Sequence, residues 1–311
     1  MAKKILIGPS TFAAVDATPL ETLNDSGLEV IDNPFKRRLT RPELLDLLTL
    51  DVIGLIAGLE PLDRQVMSNS SLKVISRCGS GMSNVDLDAA SDLGIVVRST
   101  PTAPVTAVAE LVVGAILNLL RSVPSMDRSL HRREWDKRIG HQLSGKTVAV
   151  VGFGRIGRKV SQFLKAFDAK IVAVDPVSSD LPEGVTLLTL DEALELADIV
   201  TLHCSGEDHL IGNSELQQMK SGSYLVNAAR GGLVDEDALI HALDQDHIAG
   251  AYLDTFGSEP YQGPLCEYDQ VLLTPHIGSY TVECRRQMET EAVDNLLSAL
   301  APQAGSVSDK V

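Results

Sequence analysis

The sequence predicts an α/β protein built on parallel sheets with helices on both faces. Three observations lead there. Short apolar runs alternate with helical patterns along nearly the whole chain, the rhythm of repeated βαβ units. The length of 311 residues suits two domains, at roughly 100–200 residues for each. A second βαβ series begins near the middle of the chain, on the glycine-rich turn Gly152-Phe153-Gly154-Arg155-Ile156-Gly157.

In the first hundred residues the apolar runs predict strands near Ile5–Ile7, Leu28–Ile31, Val52–Ile56, Leu72–Ser76 and Ile95–Arg98. Helical segments separate them, such as Arg41–Leu50, with Thr40 as its N-cap and Pro42 in its first turn. A long helix follows from about Pro104 to Arg121. Its apolar positions nearly encircle it, so it is expected to be buried. Residues 123–143 are polar and mixed in charge, and read as a solvated helix anchored by Trp135. The second series starts at Gly145, with strands at Thr147–Val151, Lys170–Val174, Val185–Leu188, Asp198–His203, Ser223–Asn227, Ala249–Asp254 and Val271–Thr274. The segment Thr281–Leu300 carries Val282, Met288, Val293, Leu296 and Leu297 at helical spacing, and the tail after Pro302 is expected to fray.

Composition narrows the function. Apolar residues make up 44% and charged residues 22%, an ordinary globular balance. Aromatics are only 4%, which argues against a stacking platform for single-stranded nucleic acid. A net charge of −15 repels phosphate backbones and anionic membranes, so neither is an expected partner. A small anionic ligand would have to be captured by local arginines. Cys78, Cys204, Cys266 and Cys284 form no CxxC pair, and reduced thiols in a cytoplasmic protein are expected. The N-terminal apolar run is too short for a signal-peptide core. The longest apolar stretch, Leu111–Leu120, covers ten residues, about half of what a bilayer span requires. The histidines at 131, 141, 209, 241 and 247 lack ligand spacing, and no metal site is expected.

Three constellations carry chemistry. In the first, the strand Thr147–Val151 runs into the glycine turn and a helix. Gly152 permits the tight turn, Gly154 lets backbone approach a pyrophosphate, and Gly157 lets helix and strand pack closely. The helix start at Arg155 and Ile156 offers N–H groups to phosphate. Asp175 ends the next strand, eighteen residues after Gly157. A carboxylate there accepts ribose hydroxyls and repels a 2′-phosphate, which favours NAD over NADP. In the second, a strand ends at Asn227 and leads into Ala228-Ala229-Arg230-Gly231-Gly232. The Arg230 fork can take a carboxylate in bidentate fashion. In the third, two further strands end in Asp254, with Glu259-Pro260 just beyond, and in Pro275-His276-Ile277-Gly278-Ser279. A histidine paired with a carboxylate is a proton carrier.

In this order, these motifs resemble the D-isomer-specific 2-hydroxyacid dehydrogenase family over nearly the whole chain. The resemblance implies two doubly wound domains, with a Rossmann NAD-binding domain over 101–280 inserted into a flavodoxin-like substrate domain of 1–100 and 281–311. It also implies a homodimer, with 123–143 reaching toward the partner. By residue-for-residue match, Arg230 binds substrate, His276 exchanges a proton with it, and Glu259 is the carboxylate beside His276. Asp254 lies near the nicotinamide. Cys204, Ala228, Gly278 and Ser279 join Gly152, Gly154, Arg155, Ile156, Gly157 and Asp175 around NAD.

The N-terminal half adds Arg77-Cys78-Gly79-Ser80-Gly81. By resemblance, Gly79, Ser80 and Gly81 offer backbone N–H groups to the substrate carboxylate, and Ser80 also reaches NAD. Arg77 gives the loop its likeness to the phosphoglycerate dehydrogenase branch, where an arginine holds a distal phosphate. Arg98 ends the neighbouring strand and is expected close by. The reaction implied is hydride transfer between NAD and 3-phosphoglycerate/3-phosphohydroxypyruvate. The alternatives are a glyoxylate or hydroxypyruvate reductase and an NAD(H)-sensing regulator on the same fold. The chain departs from the family pattern at Ser83, at Ser99-Thr100-Pro101, at the shortened loop His203–His209, and at Tyr280, which is expected to narrow the pocket. At 311 residues, no C-terminal regulatory domain and no serine feedback are expected.

Overall fold

A computed structural model describes residues 3–178, 180–206 and 208–301. The tail after Pro302 and Glu207 of the 203–209 loop lie outside the described residues. The chain divides into two compact units, Met1–Pro104 with Tyr280–Val311, and Val105–Ser279.

In the first unit the described residues form a five-stranded sheet from β1 (Lys4–Ile7), β2 (Glu29–Ile31), β3 (Val52–Ala57), β4 (Val74–Arg77) and β5 (Val96–Ser99). The order is β2-β1-β3-β4-β5 and every pairing is parallel. This is the flavodoxin-like winding, with its switch point between β1 and β3. Ile5–Ile7 and Leu55–Ala57 are near-continuous apolar runs because both sheet faces are covered. The helix Val282–Leu300 covers one face, where Met288, Ala292, Val293 and Leu296 pack on Ile5, Ile7, Ile56 and Val74. Asp63 and Asp86 cap the short helices that follow them, accepting from Val66 N–H at 3.0 Å and Ala89 N–H at 2.8 Å.

The second unit carries β6 (Thr147–Val151), β7 (Lys170–Val174), β8 (Val185–Leu187), β9 (Ile199–Leu202), β10 (Ser223–Asn227), β11 (Ile248–Leu253) and β12 (Val271–Leu273). Among the described residues these form one parallel sheet in the order β12-β11-β10-β9-β6-β7-β8. The winding reverses at β6, which pairs with both β7 and β9. That is the Rossmann switch point, and ligands bind outside the carboxyl ends of its strands. The helix Pro104–Leu120 is buried as its all-round apolar pattern predicts, with Ala109, Val112 and Ile116 against Val148, Val150 and Tyr252.

Every predicted strand is present, with ends within two residues of the expected positions. Two expectations fail. The helix starting at Val123 stops at His131, and Trp135 is 79% exposed, so it anchors nothing within this chain. Arg133 turns left-handed (φ 65°), and pairs such as Arg132–Glu134 and Arg138–Asp136 close locally rather than along a helix. Arg98 also does not join Arg77. In the register Arg98 stands opposite Ser76 and Arg77 opposite Ser99. Strand residues alternate faces, so the two arginines point to opposite sides of the sheet. Among the described residues no single helix is long and apolar enough to cross a membrane. Pro104–Leu120 and Val123–His131 pass such a test only as a pair bent by 67°.

Leu296 is fully buried on the face of the first sheet. Leu296→Ala is expected to cost about 2–5 kcal/mol of stability, the range for truncating a buried leucine. Urea unfolding checks this, and a midpoint equal to wild type would mean the helix is not docked as described.

Candidate active site

One end of the second sheet's carboxyl edge is built at the exits of β6, β7, β9 and β10. Gly152 follows β6 in a left-handed conformation (φ 90°), and a Cβ there would overlap the backbone nitrogen of Cys204. Only glycine fits both demands. A Cβ at Gly157 would meet the Gly152 carbonyl, so the helix Arg155–Lys165 lies hard against the turn. Among the described residues, no heavy atom beyond Gly154 and its chain neighbours stands within 4 Å of the place a Cβ would occupy there. The helix then starts at Arg155 and Ile156, whose N–H groups have no partner inside the helix. An open backbone position at a helix start suits a pyrophosphate.

Asp175 closes this end. Its carboxylate accepts from Phe153 N–H at 2.7 Å, Val177 N–H at 2.9 Å and Ser178 N–H at 2.9 Å. Partial burial opposes its ionisation, but the three N–H donors and the nearby Arg158 guanidinium outweigh it and hold the carboxyl below its usual range. A carboxylate offers about four acceptor sites, so one remains beyond these three donors. Cys204 and Ala228 are half-buried at the exits of β9 and β10, and burial pushes the Cys204 thiol up. Burial also drives His203 down to about 3, so it is neutral, with Nε2 at 2.9 Å from Thr201 Oγ1.

The second cluster stands at the exits of the adjacent strands β10, β11 and β12. Arg230 follows β10 in a turn that Asn227 shapes. The Asn227 amide donates to the Arg230 carbonyl at 2.8 Å and its oxygen accepts Ala229 N–H at 3.0 Å. A Cβ on Gly231 would overlap the Phe256 carbonyl, so this turn lies flush on the loop after β11. Within that loop Phe256 N–H reaches Glu259 Oε1 at 3.3 Å, and the Glu259–Pro260 bond is cis. The carboxylate of Glu259 meets His276 Nδ1 at 3.0 and 3.1 Å. His276 is left-handed (φ 55°), a conformation that costs a side-chain-bearing residue roughly 1–2 kcal/mol. The turn after it is tied down by Asp254, whose oxygens accept Ile277 and Gly278 N–H, each at 2.8 Å. Asp254 is almost fully buried, and that burial raises its carboxyl despite these donors. Ser279 follows, half-buried.

The predicted N-terminal loop lies in the first unit. Arg77 is only 8% exposed, and its Nη1 donates to the Cys78 carbonyl. The guanidinium lies over Gly79, leaving no room there for a side chain. Gly79 N–H donates to Thr100 Oγ1 at 2.8 Å, so it serves the loop's own fold. Ser80 is exposed and Gly81 half-exposed. Cys78 is a buried thiol, pushed up to about 12 by its burial. Tyr280 is 55% exposed beside the Arg285 guanidinium, 5.3 Å from its ring centre. Among the described residues no group of three His, Cys, Asp or Glu is placed to share a metal ion.

Nothing in the sequence singles out Arg158 or Glu60, and Asn227 and Thr274 stand out only as strand ends. Asn227 and Glu60 are polar residues buried within or just after an apolar strand, a signal visible only once the strand is known to be covered. Arg158 sits one turn into the helix after Gly154, facing Phe153 at 5.1 Å.

The fold and the ordered cluster at its carboxyl edge define a nicotinamide-linked dehydrogenase architecture. Residues 113–278 match the NAD-binding domain of the D-isomer specific 2-hydroxyacid dehydrogenases, and the chain belongs to that family. It is 38% identical over 257 residues to the D-3-phosphoglycerate dehydrogenase of Mycobacterium tuberculosis, covering 79% of this chain and 49% of that one. The chain thus spans about half the length of the curated relatives it matches. Among solved structures it is similar to the TT0316 protein of Thermus thermophilus (34% identity, 96% of both chains, TM-score 0.87). It is also similar to a glyoxylate reductase from Paecilomyes thermophila (30% identity, 96% of this chain and 95% of that one, TM-score 0.86).

Asp175 ionises more readily folded than unfolded, so it stabilises the fold above its unfolded pKa of about 4, and that contribution fades as pH falls through the lower folded value. Asp175→Asn is expected to lower the urea midpoint at neutral pH, with the gap closing as the pH is lowered below about 4. An unchanged midpoint at neutral pH would show that the three N–H contacts contribute nothing.

Proposed function

We propose that this protein is an NAD-dependent dehydrogenase interconverting D-2-hydroxy acids and 2-oxo acids, with 3-phosphoglycerate/3-phosphohydroxypyruvate as its substrate pair. The observation that carries the reading is the His276–Glu259 pair, with Nδ1 at 3.0 and 3.1 Å from the carboxylate oxygens, at the exit of the strand next but one to that of Arg230.

When bound, the nicotinamide supplies or accepts the hydride at the substrate's C2. The protein handles the proton and the charge. Glu259 engages Nδ1, so Nε2 is the nitrogen that faces the reaction. In the reducing direction His276 gives its proton to the oxo oxygen as C2 receives hydride, yielding the hydroxyl. In the oxidising direction it takes that proton back. Glu259 holds the His276 ring through Nδ1, and Arg230 neutralises the carboxylate and polarises the oxo group. Gly152, Gly154, Arg155, Ile156 and Gly157 hold the pyrophosphate, and Asp175 takes a ribose hydroxyl.

The phosphorylated substrate is supported by the similarity to D-3-phosphoglycerate dehydrogenases and by Arg77 as the distal anchor. The burial of Arg77, its bond to its own loop and its position in the field of Glu60 favour a second reading, a small 2-oxo acid such as glyoxylate or hydroxypyruvate. The resemblance to a glyoxylate reductase points the same way. We also propose a homodimer, seated on the segment where Leu130, Trp135 and Ile139 stand exposed.

His276→Ala is expected to lower turnover by about 100-fold or more, the scale of general acid–base help, while NADH fluorescence titration shows unchanged affinity. Wild-type turnover in this variant would remove His276 from the mechanism. For Arg77→Ala, steady-state kinetics are expected to show KM for 3-phosphohydroxypyruvate rising about 10-fold or more, as for loss of a charged hydrogen bond, with glyoxylate kinetics unmoved. Equal effects on both acids would assign Arg77 to the loop and favour the small-acid reading.

A further inference from the structure

We infer that Tyr252 and Thr274 are positioning residues which, acting through Asp254, hold the turn that carries His276. The inference rests on the proposed proton-transfer role of His276, and neither residue is among those assigned to cofactor or substrate above.

Tyr252 is fully buried within β11, and its hydroxyl stands 2.7 Å from Thr274 Oγ1. Thr274 follows β12 and donates to Asp254 Oδ1 at 2.5 Å. The direction of the chain follows from counting protons. Asp254 already accepts two backbone N–H groups, those of Ile277 and Gly278. Thr274 has one hydrogen, and it goes to this carboxylate. Thr274 can then only accept from Tyr252. Burial, with the Asp254 charge nearby, pushes the Tyr252 phenol far above its usual range, so it keeps its proton and donates. The order is Tyr252 to Thr274 to Asp254, with the backbone of 277–278 closing on the same carboxylate.

That carboxylate needs its donors. It is 1% exposed, and burial presses it toward the neutral form. Each donor that Thr274 and the two amides supply keeps it an acceptor. His276 sits between these anchors. Its own N–H bonds the Thr274 carbonyl at 2.9 Å, and the next two amides end on Asp254. Thr274 therefore holds the turn from both sides, by its carbonyl before His276 and by its hydroxyl through Asp254 after it. Loss of the hydroxyl weakens the grip that keeps His276 left-handed and facing Glu259.

The test uses the full chain and three variants: Thr274→Val, Thr274→Ser and Tyr252→Phe. Amide hydrogen exchange of Ile277 and Gly278 is measured alongside steady-state kinetics. The expected result for Thr274→Val is exchange at least tenfold faster at these two amides and kcat at least tenfold lower. Thr274→Ser, which keeps the hydroxyl, is expected to restore both, and Tyr252→Phe to show the same pattern more weakly. Unchanged exchange in Thr274→Val would overturn the inference. So would a serine variant no better than valine, since that marks general damage to packing. Exchange does not require turnover. A wild-type protein inactive on every 2-oxo acid would defeat the proposed function, while the exchange comparison would still decide whether this chain holds the turn.

Discussion

All strands of the second sheet run the same way, so each delivers its last residues to one edge. The rest of the site depends on this constraint. Parallel pairing forces every connection to return over a face of the sheet, so the residues just past each strand are freed to meet at the carboxyl edge. Gly152, Asp175, Cys204, Arg230, Asp254 and His276 all follow a strand of this sheet. They are scattered over more than a hundred residues of sequence, and the sheet collects them without any of them being near another in the chain. Gly231 tightens the collection by letting one exit loop lie against the next.

Within that edge, hydrogen-bond donors hold the two aspartates. The chain has a net charge of −15, a field that opposes any anionic ligand. Asp175 and Asp254 are both held by backbone N–H groups, and Asp254 also by Thr274. Their outcomes differ. Asp175 is less deeply buried and its donors prevail, so its carboxyl falls; Asp254 is nearly sealed from water and its carboxyl rises. One residue type thus supplies a dependable anion after β7 and a structural tie after β11.

The first unit shows the same economy around buried ionisable groups. Glu289 accepts Ala13 N–H at 2.9 Å and pairs with Arg285, which also reaches Thr11. Glu60 accepts Gly58 N–H at 2.8 Å, while Asn84 donates to the Glu60 carbonyl at 2.7 Å. These bonds fix the exits of β1 and β3 at that sheet's switch point, beside the loop that carries Arg77. Removing one partner of the buried Arg285–Glu289 pair would leave an uncompensated charge.

The α/β class, each strand of both sheets, the buried helix after Pro104 and the glycine turn with Asp175 are legible in the amino-acid order alone. These are local signals: apolar period, turn residues and a fixed spacing after a strand. That order also singles out Arg230, Glu259 and His276, because each stands beside a turn motif. What those residues touch is set by the packing of the folded chain. Trp135 lost its role as an anchor because the helix at Val123 ends at His131, and Arg98 was separated from Arg77 by strand alternation. The Tyr252–Thr274–Asp254 chain joins two strand exits and leaves no spacing signature at all. Hydrogen-bond direction depends on which donors face one acceptor across the fold, and a linear chain does not carry that information.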